Sequence, residues 1–253
     1  MIRELLELLG VYKIYESWLK RQLKDGSRVE HIAIIADENL NADSGKRFSF
    51  SSKMINLLEW CLELDVKYVT IYALSIECLK MPQRRVDEAL KVLEEGLESL
   101  LKNEVLYRHK VRVKAIGKLN LLPERIRKYI SLLEESTKNY DKHFLNLAVA
   151  YKGRLEIVDA TRKLAEEVRS GKLNPDSIDD STLEKYLYTS HIPKQDPDLI
   201  IRTSGDERLS GFLLWQSAYS ELCFLDVDWP DLRKIDILRA VRTFKKRKRR
   251  FGR

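Results

Sequence analysis

Asp196-Pro-Asp-Leu-Ile-Ile-Arg-Thr-Ser-Gly-Asp-Glu-Arg-Leu-Ser-Gly211 runs on through Phe212-Leu-Leu-Trp-Gln-Ser-Ala-Tyr-Ser-Glu-Leu222 to Trp229-Pro230. The apolar run Leu199-Ile200-Ile201 is short and partly β-branched, which suits a buried strand. Arg202-Thr203-Ser204-Gly205 follows where that strand ends, and the spacing predicts a helix over Gly211 to Ser220. In open α/β sheets, ligands bind where strands end. Two arginines, Arg202 and Arg208, bring planar forks of donors that match phosphate oxygens, and Ser204 and Ser210 add neutral donors.

Outward from this stretch the chain alternates strand and helix patterns. Strands are expected at Ile32 to Ala36, Tyr68 to Leu74, Val111 to Ile116, Phe144 to Ala150, Leu199 to Ile201 and Cys223 to Val227. Helical patterns lie between them at Met54 to Leu64, Val86 to Lys102, Pro123 to Ser136 and Leu155 to Ser170. This alternation predicts an α/β fold, a single domain over residues 1–253 with a mainly parallel six-stranded sheet covered by helices on both faces. The strand ends would then gather Asp37, Ser75, Gly117, Tyr151 and Arg202 along one edge.

Composition narrows the class. The chain has 253 residues, 44% of them apolar, enough for a sizeable core. Its three cysteines, Cys61, Cys78 and Cys223, lack metal-type spacing, and reduced thiols in a cytoplasmic protein are the simplest reading. No apolar run approaches the roughly 20 residues of a membrane span, and charges interrupt Met1-Ile-Arg-Glu too early for a signal peptide. Residues 1–24 read as an amphipathic helix, with Leu5, Leu8, Leu9, Tyr12, Tyr15, Trp18 and Leu19 at helical spacing. Either it packs on the body or it lies on a membrane surface. The net charge of +7 is concentrated in the basic tail over 245–253, chiefly Lys245-Lys-Arg-Lys-Arg-Arg250. Such a hexamer reads first as a solvated helix end or a phosphate contact. No aromatic-interleaved basic face accompanies it, which argues against nucleic acid.

The stretch from Ile201 to Leu222, with Trp229-Pro230, closely resembles the signature of the cis-prenyltransferases, the undecaprenyl diphosphate synthase family. The resemblance extends back through Tyr151-Lys-Gly-Arg-Leu-Glu-Ile-Val-Asp-Ala160, Ile116-Gly117, Leu122-Pro123, Tyr72-Ala-Leu-Ser-Ile-Glu77 and His31-Ile-Ala-Ile-Ile-Ala-Asp37, covering most of the chain. It implies condensation of isopentenyl diphosphate with an allylic prenyl diphosphate to make a polyprenyl carrier lipid, with a hydrophobic tunnel beside the sheet. By the same resemblance Asp37 is the catalytic aspartate and a magnesium ligand, and Glu221 joins the Mg2+ site across a dimer. Arg202, Arg208 and Ser210 then clamp isopentenyl diphosphate, while Asn39, Ser75 and Glu77 bind substrate. The Arg-Phe-Gly ending resembles the family's tail that reaches a partner's site. Tyr12, Tyr15, Trp18 and Leu19 resemble archaeal members, which suits a geranylgeranyl primer.

The chain departs from the family pattern where the allylic diphosphate would dock. Gly-Asn-x-Arg-Trp-Ala after the aspartate is here Glu38-Asn39-Leu40-Asn41-Ala42-Asp43, so a glycine has become a carboxylate and an arginine has become Asn41. Lys46 and Arg47 are candidate replacement charges. Ser-x-Glu-Asn-Trp-x-Arg-Pro is here Ser75-Ile-Glu77-Cys78-Leu79-Lys80-Met81-Pro82, losing a second arginine. Three readings follow. One is a divergent active enzyme, as a homodimer or heteromer and in possible peripheral contact with a membrane. Another is a non-catalytic subunit lending its C-terminal half-site to a motif-complete partner. The most distant is a binder of nucleic acid or acidic surfaces through its basic tail.

Overall fold

His31-Ile-Ala-Ile-Ile35 forms the strand β1 (His31–Ile35), buried along its whole length, as a run apolar on both faces must be in a sheet covered twice. The computed structural model describes residues 10–23, 28–36 and 49–247, without side chains for residues 49–51. Five more strands follow: β2 (Tyr68–Ser75), β3 (Val111–Ile116), β4 (His143–Tyr151), β5 (Leu199–Arg202) and β6 (Glu221–Phe224). They pair in the order β3-β4-β2-β1-β5-β6, and every pair is parallel. The sheet is therefore wholly rather than mainly parallel, and all six C-terminal ends lie on one edge.

Among the described residues eight helices accompany it: α1 (Val11–Gln22), α2 (Ser49–Glu63), α3 (Gln83–Lys102), α4 (Glu104–Arg108), α5 (Glu124–Thr137), α6 (Gly153–Arg169), α7 (Asp180–Glu184) and α8 (Lys234–Lys246). One face of the sheet, with α1 to α5 and α8, carries the larger core, built from residues such as Ile34, Leu57, Val69, Leu93, Leu97, Leu147 and Phe244. The other face is a smaller cluster of Ala33, Ile35, Tyr72, Ala148, Tyr151, Ile200, Phe212 and Leu213. Edge strand β3 does not present bare backbone. Thr137 Oγ1 and Glu134 Oε1 of α5 accept from the amides of Val113 and Ala115 at 3.0 Å each, which blocks further strand addition there.

Two expected elements differ. β6 begins two residues earlier than its apolar pattern and stops at Phe224, because the carbonyls of Leu225 and Val227 accept from Gly205 and Ser204 in the turn after β5. Gly211 to Ser220 is a chain of turns, not a helix. Positive φ at Ser210 (50°), Gly211 (79°) and Leu213 (44°) breaks the helical path, leaving isolated bonds such as Ser217 N–H to Leu213 O at 2.8 Å.

Of the N-terminal amphipathic segment 1–24, the described part is α1, which packs on α8 through Leu19, fully buried, and Tyr12. Lys245 Nζ caps its C-terminus by donating to Leu23 O at 2.6 Å. Lys245 and Lys246 thus end a packed helix, as the basic hexamer suggested. The rest of the tail, including Arg-Phe-Gly, lies outside the described residues. The three cysteines are unpaired, and burial pushes the Cys61 thiol up to about 12.

Candidate active site

Arg202 ends β5, and its guanidinium, 2% exposed, holds the turn that follows. Its Nη1 donates to the Arg208 carbonyl and, at 2.7 Å, to Ser210 Oγ. Its Nη2 donates to Asp206 Oδ2 at 2.8 Å, and Arg208 Nη2 reaches the same oxygen at 2.8 Å. One carboxylate oxygen therefore bridges two guanidiniums at the end of a strand. Arg208 itself is largely exposed. Arg202, Arg208 and Ser210 are thus brought together, with Arg202 as the inner brace and Arg208 as the outer cation.

This turn lies over the smaller core. Phe212 stacks on Tyr72 of β2 with ring centroids 4.8 Å apart and meets Tyr151 of β4 edge-on at 5.9 Å. Beneath it, Glu156 of α6 is 1% exposed and accepts from the Tyr151 hydroxyl, from Tyr188 N–H at 2.8 Å and from Gln216 Nε2 at 3.1 Å. Burial pushes its carboxyl above the ordinary range while the three donors oppose that shift. Desolvation and the neighbouring Glu156 raise the Tyr151 hydroxyl well above its usual value, so it remains a proton donor to the carboxylate. Gly153 N–H donates to Gly211 O at 2.9 Å. Sequence reasoning quoted Glu156 and Gln216 within motifs but gave them no role. Their signal was a carboxylate one helical turn into α6 beneath a polar residue in an otherwise apolar run.

The other strand ends complete the edge. Ser75 Oγ accepts from Cys78 N–H at 3.3 Å, capping the short turn Ile76–Lys80 that carries Glu77. Glu77 Oε1 receives Lys152 Nζ at 2.5 Å from the end of β4. Lys152 is a cation the sequence reading missed, and it stands beside the motif that lost its arginine. Gly117, ending β3, has φ +128°, and a Cβ there would sit 2.1 Å from Val149 O, so no side chain fits. Ala150, Ser204, Ser210 and Leu213 also adopt positive φ. Non-glycine strain of this kind concentrates at ligand-holding edges.

Not every expected residue joins the group. Asp37 and Asn39, with Glu38, Asn41, Lys46 and Arg47, lie outside the described residues; Ala36, which precedes Asp37, follows β1 directly, between the ends of β2 and β5. Glu221 is elsewhere. It pairs with Leu199 while Arg202 pairs with Phe224, so it starts β6 at the opposite edge, roughly 10 Å along the strand from Arg202. There Arg247 Nη1 contacts its carboxylate at 2.5 Å. Among the described residues no group of three or more His, Cys, Asp or Glu could hold a metal ion. A cavity of about 620 Å³ between α6 and α7, lined by Leu164, Val168, Ile178, Leu183 and Trp215, includes none of the site residues.

The family model described as "Putative undecaprenyl diphosphate synthase" matches residues 36–252. The chain belongs to the undecaprenyl diphosphate synthase family. It is 50% identical over 256 residues to a tritrans,polycis-undecaprenyl-diphosphate synthase (geranylgeranyl-diphosphate specific) of Methanopyrus kandleri, covering 98% of this chain and 93% of that one. It is 44% identical to the synthase of the same description from Methanocaldococcus jannaschii, over 98% and 91%. Among solved structures, lavandulyl diphosphate synthase from Lavandula x intermedia in complex with dimethylallyl diphosphate superposes with a TM-score of 0.83 at 33% identity, over 89% of this chain and 99% of that one. A probable undecaprenyl diphosphate synthase from Campylobacter jejuni gives 0.75 at 31% identity, over 90% and 100%. The family match takes in β2 to β6, and the relatives matched at near full length are named as synthases. The chain is a cis-prenyltransferase.

Proposed function

We propose that this cis-prenyltransferase extends geranylgeranyl diphosphate with successive isopentenyl diphosphates, and that Arg202, Arg208 and Ser210 hold the isopentenyl diphosphate. The observation that carries the reading is the Asp206 carboxylate, 2.8 Å from both guanidiniums, in the position an anion takes. A diphosphate, with more charge and more acceptors, displaces it, and Ser210 Oγ is already oriented by Arg202 to add a donor. In each cycle the allylic C–O bond breaks, diphosphate leaves, a C–C bond forms to the isopentenyl double bond, and a proton is lost from the isopentenyl unit. The protein's part is to hold two polyanions side by side and to keep the reacting carbons in line.

The allylic diphosphate sits across the ends of β1 and β2, with Asp37, Asn39, Ser75 and Glu77 around it. The geranylgeranyl primer is supported by the specificity named for the archaeal relatives. Its chain runs between α2, α3 and the sheet, along Leu57, Leu93 and Leu97 of the larger core. Magnesium fits as an ion held by few carboxylates plus substrate phosphates, which is its usual habit, rather than by a protein cage. Asp37 would be the carboxylate for it, and the ion would supply neutralisation of the leaving diphosphate. Glu221 supports a dimer reading, because within its own chain it stands at the end of the sheet opposite to Ile35 and Arg202.

The test is incorporation of radiolabelled isopentenyl diphosphate into butanol-extractable product by purified protein with magnesium, comparing geranylgeranyl with farnesyl primer. Product with geranylgeranyl primer, abolished in Asp37→Ala and with a raised KM for isopentenyl diphosphate in Arg208→Ala, is the expected result. Absence of product with either primer, while isopentenyl diphosphate still binds, sinks the self-sufficient enzyme and leaves the subunit reading.

A further inference from the structure

Helix α1 carries two apolar stripes, and the fold uses one. Tyr12, Leu19 and Leu23 face the body. Val11, Ile14, Tyr15 and Trp18, at positions i, i+3, i+4 and i+7, form a second stripe whose members are 43%, 71%, 36% and 42% exposed. Four large apolar side chains in line on a single three-turn helix differ from singly scattered surface hydrophobics, which need no explanation. Tyr15 and Trp18 stack with centroids 5.6 Å apart, and the Arg242 guanidinium of α8 lies 4.8 Å over the Trp18 ring.

Charge around the stripe identifies what covers it. Glu16, the one acidic residue of α1, is consumed by Lys20 and Lys234 at 3.0 Å each. Asp236, the one acidic residue of α8, is buried against Arg233. The outward charges on these two helices are then cations, including Arg21, Arg239 and Lys246, all exposed. A second copy seated on this stripe would bring the same cations against them, a like-charge contact. An anionic lipid surface reverses the sign: headgroups meet the cations, while tryptophan and tyrosine take the interfacial depth they favour and Val11 and Ile14 reach the acyl boundary.

We propose that the exposed stripe of α1, rimmed by the cations of α8, docks this protein on an anionic phospholipid surface. The inference gains its purpose from the prenyl-transfer reading, since a long polyprenyl product must leave into lipid, yet its geometry stands without it. Among the described residues no helix is long and apolar enough to cross a membrane, so the contact lies in the interface plane.

The experiment is co-sedimentation of the full chain with phosphatidylglycerol-containing vesicles and with purely zwitterionic ones. Retention on the anionic vesicles that falls with added salt is expected. Ile14→Asp, at a side chain too exposed to threaten folding, lowers the partition roughly tenfold or more, and Arg21→Glu with Lys246→Glu lowers it on anionic vesicles alone. Prenyl transfer from detergent-dispersed primer stays at the parent level in both variants, so a failed activity assay and a failed docking assay remain distinguishable. Equal retention on both vesicle types, retention untouched by Ile14→Asp, or no retention together with self-association lost in Ile14→Asp each overturns the proposal; the last result assigns the stripe to a second copy.

Discussion

Gly153→Ala sets helix propensity against the contact that positions the phosphate turn. Gly153 opens α6, where replacing glycine by alanine stabilises a helix by about 0.5–1 kcal/mol if nothing else is touched. Here a Cβ would stand 2.6 Å from Gly211 O and 2.9 Å from Leu214 Cγ, with Leu214 N at 3.2 Å. Two of the three neighbours are backbone, and reaching ordinary contact at 3.4 Å requires the turn to retreat by about 0.8 Å. That movement loosens the 2.9 Å bond from Gly153 N–H to Gly211 O. Overpacking of this size costs roughly 1–3 kcal/mol, so the net change is destabilising despite the better helix former. Gly211 directly follows Ser210, so the displacement falls on the proposed diphosphate clamp. The KM for isopentenyl diphosphate rises roughly 10- to 100-fold, while the KM for the allylic primer, proposed to bind at the ends of β1 and β2, changes little. Urea denaturation and steady-state kinetics with each substrate varied in turn test both halves. A variant as stable as its parent with an unchanged isopentenyl KM refutes the claim that this backbone contact sets the clamp.

Lys152→Met raises the KM for the allylic diphosphate roughly tenfold and leaves that for isopentenyl diphosphate alone, with Lys152→Arg close to the parent, if Lys152 supplies the charge that Met81 no longer does; a selective change in the isopentenyl KM sinks the assignment. Glu156→Leu leaves Tyr188 N–H, Gln216 and the Tyr151 hydroxyl without their acceptor and costs about 3 kcal/mol, whereas Glu156→Gln costs under about 1 kcal/mol because the tyrosine oxygen can accept from the new amide; thermal denaturation of the two variants separates them. His31 is fully buried, donates from Nδ1 to Lys194 O at 3.0 Å and accepts at Nε2 from Thr70 at 2.8 Å, and burial lowers its pKa to about 4. The unfolded chain therefore binds the extra proton first as pH falls. Stability contributed by neutral His31 is present above pH 6.5 and drains away between pH 6.5 and about 4, about 3 kcal/mol in all. Denaturation midpoints of the parent and His31→Gln measured across that window should converge at the acid end; parallel curves refute it.

The legible parts of the sequence were those where local pattern and tertiary environment agree. Ile32 to Ile35 and Leu199 to Ile201 are apolar on both faces because both faces of a central parallel strand are covered, and each was placed within a residue or two. The same logic failed at Gly211 to Ser220. Phe212, Leu213, Trp215 and Gln216 have helical spacing, yet Phe212 must reach Tyr72 while Gln216 reaches Glu156, and that pair of anchors forces positive φ at Ser210 and Leu213. Pattern reports which side chains are apolar; it carries no record of a distant partner that overrides the helix. Lys152 and Asp206 were missed for a similar reason. An exposed lysine and an aspartate between two arginines look like surface charges until the strand order sets one beside Glu77 and the other between both guanidiniums.

Glu221 makes the strongest use of register. In a parallel pair the rise is fixed, so residues three apart along β5 and β6 cannot exchange ends without sliding a whole strand. Leu199 opposite Glu221 and Arg202 opposite Phe224 therefore settle that one chain holds the Arg202 turn, the proposed clamp, at one edge of the sheet and this carboxylate at the other. Sequence proximity within a single motif had suggested joint action. If Glu221 serves a diphosphate at all, it serves one bound by another chain, and the Arg247 contact that now neutralises it must open for that to occur. The two arrangements predict different behaviour in mixtures. A Glu221→Ala protein combined with an Arg208→Ala protein, assayed at isopentenyl diphosphate far below the raised KM so that neither alone gives product, regains activity if the residues act across chains, since one of the two sites in a mixed dimer is then whole. Residues acting within one chain give no rescue at any ratio.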